Sequence, residues 1–531
     1  MAETLALPNP NSMVEYGFRR VIITITVILC TLLEIIDTTI VNVATNTLMG
    51  SLGATLSEVS WVIAAYAIAN VIVVPMSSWL SSQFGRKAYF AASIGLFTMA
   101  SFMCGQSDSI WTLVFWRFIQ GMGGGALLAT SQSILVEIYP KEKIGIAMAM
   151  FGMGVIMGPT LGPVVGGYLV DNYDWPVIFL VNVPLGILAL FLTLNFIRDN
   201  PNQLKQTGRV DWLGMILLII GIGSLQLVLE QGEREEWFDS TYITVFFAVA
   251  ILGILFFIIR ELTVENPIVD LSILTKGNVG VGAILNFILG FTLFGTVFII
   301  PLFVQRFLGF TATATGLMFM PGALMSGFCM PFIGRLLQSG FSPKRLIVFG
   351  FTLTAIFVFW CSLILTSNTD IDNFFWPLIV RGVGMGFLFV PLSNLTLSGL
   401  DSVGVAQASG LTNMIRQIGG SISVALIGLL NERLGAQHKA DLMVNISEFN
   451  SNFTERINLL TQNFLRLGNG LEKAKQQALF IVENSVIKQS FILTYIDIFQ
   501  YMALFVVCCI PLVFMAKTYK GGAGPGAGAA H

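Results

Sequence analysis

Fourteen apolar runs of helix length most constrain what this chain can fold into. Each holds about 20 residues, the number that an α-helix needs to cross the hydrocarbon layer of a bilayer. Their uninterrupted character favours helices over the alternating strands of a membrane barrel. We therefore predict an all-α polytopic membrane protein with runs at 21–42, 59–80, 88–105, 110–136, 144–169, 177–197, 211–230, 241–260, 278–300, 313–335, 345–366, 374–397, 405–430 and 492–516.

The scarcity of charge excludes the soluble classes of protein. Only 11% of the 531 residues are charged, against about 25% in soluble domains. So few charges cannot cover a surface that faces water. A soluble enzyme, a disordered chain and a nucleic-acid binder are therefore excluded, and the lipid bilayer is the first expected partner.

The distribution of lysine and arginine predicts the orientation. An even number of spans places both termini on one side of the membrane. If the N-terminus lies inside, the inner segments hold most of the 28 Lys and Arg residues, and the short outer loops hold only Arg234 and Arg306. Because positive charge in short loops marks the cytoplasmic side, we predict that both termini are cytoplasmic.

The two halves of the chain repeat one another. Arg117 precedes the glycine-rich stretch 121–125 in run 4, and Arg381 precedes a similar stretch, 382–386, in run 12. Runs 1–6 thus map onto runs 9–14, with two inserted runs between them. This 6+2+6 arrangement is a parallel repeat of six helices, the layout of the major facilitator fold. The predicted units are 1–200, 201–270 and 271–531, the last with a long outer segment at 431–491 and a Gly/Ala-rich cytoplasmic tail at 518–531.

Motifs for enzyme chemistry are missing from the sequence. No lysine follows a glycine, so there is no P-loop, and there is no G-x-S-x-G elbow. His438 and His531 lie outside the apolar runs, which disfavours a metal site in the membrane. Asp370-Ile371-Asp372 resembles the D-x-D of glycosyl transferases, but a solvated pair in a loop explains it better. We predict a protein that is not an enzyme and has no cofactor; a lipid-sugar transferase is the weaker alternative.

Run 1 carries two carboxylates that are costly in lipid. Glu34 and Asp37 are three residues apart and so share a helix face. A structural role with local hydrogen bonds is possible, but ionisable groups within the membrane more often couple protons or ions. At 1.5 Å per residue, Asp37 lies about 24 Å from the inner side and Arg117 about 10 Å from the outer side, so the two meet at similar height. Arg381 and Arg416 are the other charges within runs.

Run 5 carries a ridge of glycines. Gly154, Gly158, Gly162 and Gly166 recur every four residues, with Gly167 beside them and Pro159 and Pro163 between them. Such a smooth face lets neighbouring backbones approach closely, and the prolines bend the helix. Tight packing alone and a role in gating are both compatible with this pattern.

The outer segment 431–491 is polar but patterned. Apolar residues recur at helical spacing, at Ile457, Leu460 and Phe464 and again at Leu471, Ala474 and Ala478. The segment is too polar to span a membrane. We expect surface helices that cap the outer mouth, that offer a docking surface, or that do both.

Several motifs together resemble one family. The stretch 36–44 in run 1, Arg117–Gly121 in run 4 and the glycine–proline ridge of run 5 are similar to the motifs of the fourteen-helix drug:proton antiporters of the major facilitator superfamily. The stretches 179–186, 266–271 and 416–421 extend the resemblance over nearly the whole chain. In the loop after run 2, Gly85, Arg86 and Lys87 fit the superfamily motif, whereas Ser78 and Ser82 stand where Gly and Asp are expected.

The resemblance implies proton-driven export of hydrophobic, structurally varied compounds across a bacterial inner membrane. It also implies a membrane-anchored periplasmic adaptor and an outer-membrane channel as partners. Asp37 would carry the proton and Arg117 would tune it. Glu34 is not part of the family motif, and it is a further candidate only because it is a carboxylate within run 1. Fold analogy places the substrate pathway between the halves, with Gln120, Gln132, Tyr66, Asn286, Phe294 and Phe298 as candidate contacts. The alternative is a dedicated exporter of fatty acids or of a siderophore on the same fold.

Overall fold

The computed structural model describes residues 13–140, 143–199, 210–444, 446–447 and 449–517. Within these ranges the chain forms helices and connecting segments, without strands. The tail predicted at 518–531 lies outside the described residues. The N-terminal helices are α1 Gly17–Ile40, α2 Thr45–Leu52, α3 Leu56–Phe84, α4 Arg86–Gly105, α5 Ile110–Ile138, α6 Ile144–Asn172, α7 Val177–Leu180 and α8 Asn182–Phe196.

The remaining helices begin with the inserted pair, α9 Trp212–Gln231 and α10 Thr241–Thr263. They continue with α11 Val279–Arg306, α12 Ala312–Gln338, α13 Pro343–Ile364, α14 Phe375–Leu397, α15 Ser402–Met443, α16 Ser451–Arg466 and α17 Leu471–Cys509. In the described part of the chain, thirteen helices are long and apolar enough to cross a membrane. Helix α5, at the position of run 4, is not among these thirteen, and it carries the polar residues Arg117, Gln120 and Gln132. The count of fourteen spans and the cytoplasmic termini stay predictions.

Helix starts follow from ordinary capping chemistry. The Thr55 hydroxyl accepts the backbone N–H of Glu58, whose carboxylate accepts the N–H of Thr55, so α3 begins with a capping box. Asp401 caps α15 in the simpler way, through the N–H of Gly404. Asp370 likewise accepts the N–H of Ile371 at a short 3₁₀ turn, which gives the D-x-D sequence a structural role.

The helices pack as two bundles with the inserted pair beside them. In the first half α1 packs against α5, α6 and α8, and α3 and α4 pack against α5. In the second half α11 packs against α15, and α14 against α12 and α13. The halves meet where α6 crosses α12 and where α3 crosses α15. The predicted boundaries at 200 and 270 stay predictions.

The inserted helix α9 contacts both halves. The Ser60 hydroxyl of α3 donates to Gln231 Oε1 at 3.2 Å, and Gln226 Nε2 donates to the Ser421 hydroxyl of α15 at 2.7 Å. In the loop after α9, Arg234 donates to the carbonyl oxygen of Leu56. Burial raises the pKa of the neighbouring Glu233 carboxyl in spite of the attraction of Arg234. The insertion therefore lies against the seam between the bundles.

The segment 431–491, where surface helices are expected, is largely helical, and α15 and α17 extend into it from the apolar runs on either side. Helix α15 continues for 42 residues and α17 for 39, which gives lengths of about 63 Å and 58 Å at 1.5 Å per residue. Both exceed the hydrocarbon layer of about 30 Å. The polar residues after the apolar run of α15 and before that of α17 are mostly good helix formers, so each helix extends beyond its run. Only α16 is a separate helix, and we call 431–491 the helical arm.

The arm is held together by the apolar spacing that the sequence shows. Helix α16 packs against α17. Ala474 and Ala478 of α17 are fully buried, and Ile457, Leu460 and Phe464 of α16 are half-buried. Leu471, which the pattern placed on the same face, is exposed because it lies at the first turn of α17.

The glycine ridge of α6 packs against α1. A Cβ atom at Gly158 would collide with Ile35, one at Gly162 with Thr39, and one at Gly166 with Ile40. Gly154 faces Thr31 at the ordinary contact distance of 3.4 Å. The ridge therefore lies in protein and not in lipid, against the helix that carries Glu34 and Asp37. The ridge also continues across the halves, because a Cβ at Gly167 would lie 2.6 Å from the Thr313 hydroxyl of α12.

We predict that Gly158→Leu stops transport while the protein still inserts into the membrane. The added side chain would separate α6 from α1, and overpacking of this kind costs about 1–3 kcal/mol. Transport by reconstituted protein, together with its abundance in membranes, measures the effect. Gly95→Leu is the matched control, because a Cβ at Gly95 meets nothing within 4 Å. Normal transport by Gly158→Leu would show that this contact does not have to stay close.

Candidate functional site

A buried ion pair joins α1 to α5. Arg117 Nη1 donates to Asp37 Oδ2 at 2.5 Å, and both side chains are enclosed, with exposures of 1% and 0%. Arg117 also binds the backbone of α3, because its Nε donates to the carbonyl oxygen of Val62 at 3.2 Å. The helix depths predicted from sequence bring the two groups together.

Two amides complete the surroundings of the Asp37 carboxylate. Gln120 Nε2 and Asn182 Nδ2 donate to Asp37 Oδ1 at 2.8 Å and 2.9 Å. Gln120 Oε1 also accepts from Arg117 at 2.7 Å, so the glutamine contacts both charges. A buried ion pair is tolerated only when its remaining hydrogen-bonding capacity is used in this way. Sequence reasoning assigned Gln120 to the substrate pathway and gave Asn182 no role beyond its motif.

Two aromatic rings flank the arginine. The Arg117 guanidinium lies 4.2 Å from the centre of the Tyr66 ring and 5.6 Å from that of Phe179. Both distances are within the range of a cation–π interaction, which favours the charged guanidinium in an apolar setting. Tyr66, a predicted pathway residue, thus belongs to the same cluster.

The glycines after Arg117 explain how α5 comes close to α3. A Cβ at Gly125 would lie 2.6 Å from the carbonyl oxygen of Asn70, and one at Gly124 would lie 2.5 Å from the Tyr66 hydroxyl. Only glycine permits these approaches, as at other close crossings of membrane helices. The glycines of the stretch 121–125 therefore let α5 lie close to α3. This position holds Arg117 within reach of Asp37 on α1.

Glu34 belongs to a second polar cluster, which crosses between the halves. Asn70 Nδ2 donates to Glu34 Oε1 at 3.1 Å, and Asn70 Oδ1 accepts from Gln417 Nε2 of α15 at 2.7 Å. In parallel, Asn413 Nδ2 of α15 donates to Gln132 Oε1 of α5 at 2.9 Å. Asn413 Oδ1 accepts from Arg416, the third arginine predicted within a run. Glu34 and Asp37 are only three residues apart on α1, yet they have different hydrogen-bond partners.

Arg381 occupies the position in the second half that Arg117 has in the first, with different partners. Its Nε donates to the Thr296 hydroxyl of α11 at 3.3 Å, and its guanidinium lies 5.5 Å from the Phe319 ring centre. Across the residues that the structure describes, no carboxylate forms an ion pair with it. The repeat therefore preserves the arginine without the acid.

The other predicted pathway residues of α11 contact their own half. Asn286 donates to the carbonyl oxygen of Gly282 at 2.9 Å, one turn earlier in the helix. Phe294 packs against Gly420, where a Cβ would lie 2.5 Å from its ring, and Phe298 is part of an apolar cluster in the second half. Among the six pathway candidates, Gln132 has the direct hydrogen bond to the opposite half.

The loop between α3 and α4 forms a charged cluster that the sequence identified only partly. Arg86 donates two hydrogen bonds to the Glu137 carboxylate at the end of α5. The backbone N–H of Lys87 donates to Asp199 after α8 at 2.8 Å, and Gly85 has a φ of +85° that favours glycine. Glu137 and Asp199 were missed because acids at the ends of apolar runs give no signal of their own.

These features define the class to which the protein belongs. The profile described as Major Facilitator Superfamily matches residues 27–424, and the chain belongs to this superfamily of transporters. It is accordingly a multi-pass inner-membrane protein.

The chain is also similar to individual named proteins and to solved structures. The chain is 36% identical to "Multidrug export protein EmrB" of Escherichia coli K12, over 97% of this chain and 98% of that one. It is 34% identical to "Fatty acid resistance protein FarB" of Neisseria gonorrhoeae, over 94% and 97%. The fold is similar to that of the proton:xylose symporter XylE, with a TM-score of 0.58 at 14% identity, covering 94% of this chain and 99% of that one.

We predict that Arg117→Ala destabilises the protein more than the double change Asp37→Asn with Arg117→Ala. Removing one partner of a buried pair leaves an uncompensated charge, at a cost of about 3–5 kcal/mol. Thermal unfolding of purified protein in detergent measures the difference. Lys276→Ala is the control, since Lys276 is 56% exposed and its pair with Asp270 is solvated. Equal melting temperatures for the single and double variants would contradict the coupling.

Proposed function

We propose that the protein is a proton-driven exporter of hydrophobic, structurally varied compounds. The observation that carries this proposal is the enclosed Asp37–Arg117 pair, on a helix that also packs against the glycine ridge. The name of the EmrB relative supports drug efflux over other transported classes. The spatial neighbours of Asp37 support the coupling role that the resemblance gives it.

The pair supplies a reason for protonation to move helices. Burial disfavours the charged carboxylate, whereas Arg117, Gln120 and Asn182 favour it. A proton on Asp37 removes the counter-charge of Arg117 and so weakens the link between α1 and α5. Because α1 packs against α6 and α6 crosses α12 of the other half, this change reaches the contact between the halves.

The transport cycle follows from this coupling. In the outward-open state a proton from outside neutralises Asp37. The halves rock to the inward-open state, Asp37 releases the proton, and a compound enters from the cytoplasm or the inner leaflet. By fold analogy the pathway is lined by α1, α3, α5 and α6 of one half and α11, α12, α14 and α15 of the other.

A dedicated exporter of fatty acids or of a siderophore is the second candidate function. The similarity to FarB favours the fatty-acid form of this alternative. The two functions differ in breadth, so a panel of chemically unrelated compounds separates them. Export of several classes supports the multidrug function, and export of one class supports the dedicated one.

The helical arm supports a tripartite assembly with an EmrA-like adaptor and a TolC-like channel. It exposes large apolar side chains to its surroundings, among them Phe449, Leu459, Leu467 and Phe480. Apolar residues exposed on a polar segment mark surfaces that bind other proteins. The arm is also long enough to reach well beyond the membrane.

We predict that Asp37→Asn stops proton-driven export while compounds still bind. The amide cannot carry a proton between the two sides, but it keeps the shape of the carboxyl. Efflux from proteoliposomes driven by an imposed pH gradient, read with a pH-sensitive dye, measures the loss. If Glu34 only assists, Glu34→Gln lowers the rate modestly; if it is a second carrier, the number of protons per compound changes. Full coupled transport by Asp37→Asn would transfer the role to Glu34.

We also predict that replacing 445–485 with a short Gly/Ser linker abolishes resistance in cells but leaves part of the transport by vesicles. The deletion removes α16 and the first turns of α17, and with them the exposed apolar surface. Growth in the presence of a transported compound and vesicle transport are compared for the same variant. The control is Lys473→Ser, a change at an exposed residue of the arm. Equal loss in both assays would show that the arm is needed by the pump itself.

A further inference from the structure

Two ionisable side chains, one acidic and one basic, lie on opposite sides of the contact between the halves. Glu34 of α1 is 2% exposed and Arg416 of α15 is 4% exposed. Neither forms a salt bridge with any group in the described part of the chain, although each acts electrostatically on the other. A buried charge without an ion-pair partner is unfavourable in a membrane protein and calls for a functional explanation.

Each charge is linked to the opposite half through two amides. Glu34 accepts from Asn70 of its own half, and Asn70 accepts from Gln417 of the other half. Arg416 donates to Asn413 of its own half, and Asn413 donates to Gln132 of the other half. The two chains cross the same contact in opposite directions. When the halves separate during transport, both amide–amide hydrogen bonds must break.

Some hydrogen-bonding groups at this contact have no partner in the structure. Glu34 Oε2 and Gln417 Oε1 are both enclosed and have no hydrogen-bond partner among the described residues. The Tyr66 hydroxyl, from the neighbouring cluster, is also enclosed and has no hydrogen-bond partner among the described residues. An enclosed polar atom without a hydrogen-bond partner is unfavourable, and a charged one is more so. A ligand that donates to Glu34 would remove this cost.

The surroundings of the two charges are aromatic and rich in methionine. The Arg416 guanidinium lies 5.2 Å from the Phe389 ring centre, and that ring lies 6.0 Å from the ring of Phe151 in the other half. Met148 contacts Gln132, and Met330 lies near Gly152. Methionine side chains adapt to different shapes, so these walls suit aromatic ligands of varied outline.

We propose that Glu34 and Arg416, with their amide partners, form a bipolar recognition site for aromatic amphiphiles that carry both a cationic N–H group and a carboxylate. The N–H group donates to Glu34, the carboxylate accepts from Arg416, and the aromatic part lies against Phe389 and the methionines. The ligand's polar groups replace the hydrogen bonds that break between the amides. This inference rests on the proposed export function, and it names the class of substrate that the exporter prefers.

The test uses three probes that share one aromatic scaffold. Ciprofloxacin carries both an amine and a carboxylate, its methyl ester carries only the amine, and N-acetyl-ciprofloxacin carries only the carboxylate. Their intrinsic fluorescence reports binding to the full-length protein in lipid nanodiscs at neutral pH. We expect the zwitterion to bind about tenfold or more tightly than either single-charge probe, because charged hydrogen bonds add at both ends.

Variants assign each end of the probe. Glu34→Gln should weaken binding of the zwitterion and of the amine-only probe about tenfold and leave binding of the carboxylate-only probe unchanged. Arg416→Gln should weaken binding of the zwitterion and of the carboxylate-only probe about tenfold and leave binding of the amine-only probe unchanged. Glu34→Asp and Arg416→Lys keep the charges and should restore part of the preference, which separates recognition from faulty folding. Arg381→Gln is the control, since Arg381 is a buried arginine that donates to Thr296 and lies beside Phe319, both in its own half.

The outcomes decide the two proposals separately. Equal binding of the three probes by the wild type, or an equal change for all three in either variant, would overturn the bipolar site. Proton-gradient-driven efflux from proteoliposomes is measured with the same probes. Selective binding without such efflux would leave the bipolar site standing and refute the exporter.

Discussion

The free-energy cost of burying charge inside an apolar bundle governs how the helices of this protein are arranged. Asp37 and Arg117 are both fully enclosed, and each is tolerated because the other lies at 2.5 Å and because Gln120 and Asn182 use the remaining capacity of the carboxylate. This requirement fixes α1, α5 and the start of α8 relative to one another. A single proton on Asp37 would change the balance, which is why the pair suits a coupling device.

Close packing carries the effect of that pair through the molecule. The glycines of α6 let the side chains of α1 pack directly against the α6 backbone, and the same helix reaches α12 in the other half through Gly145 and Gly334, whose backbones are in contact. Interfaces of this kind have few intermediate positions, because small residues leave no flexible side chains to accommodate a shift. A movement of α1 is therefore transmitted across α6 to the contact between the halves. Glu34 and Arg416 lie at that contact, each bound to an amide that is hydrogen-bonded to the other half.

Much of the architecture could be predicted from sequence. Apolar runs of helix length predicted nearly every long helix, and the repeated arginine–glycine motif predicted two related halves. Helix depth alone brought Asp37 and Arg117 to the same height. Hydropathy did not predict how far α15 and α17 extend beyond their apolar runs into the helical arm. Hydropathy reports where a helix can lie in lipid, and it carries no information on where a helix with polar residues ends.

The sequence by itself determined the class of fold, the helices that are long and apolar enough to cross a membrane and the scarce charges within them, because burial in lipid demands long apolar helices and makes each charge conspicuous. Only the tertiary structure decided how those charges are paired. It placed Glu34 with Asn70 and Gln417, left Arg381 beside Thr296, and brought Asn182 to Asp37 across 145 positions of sequence. Such partners are polar amides and hydroxyls from distant helices, and their contacts follow from the rotation and crossing of helices, which local spacing does not contain.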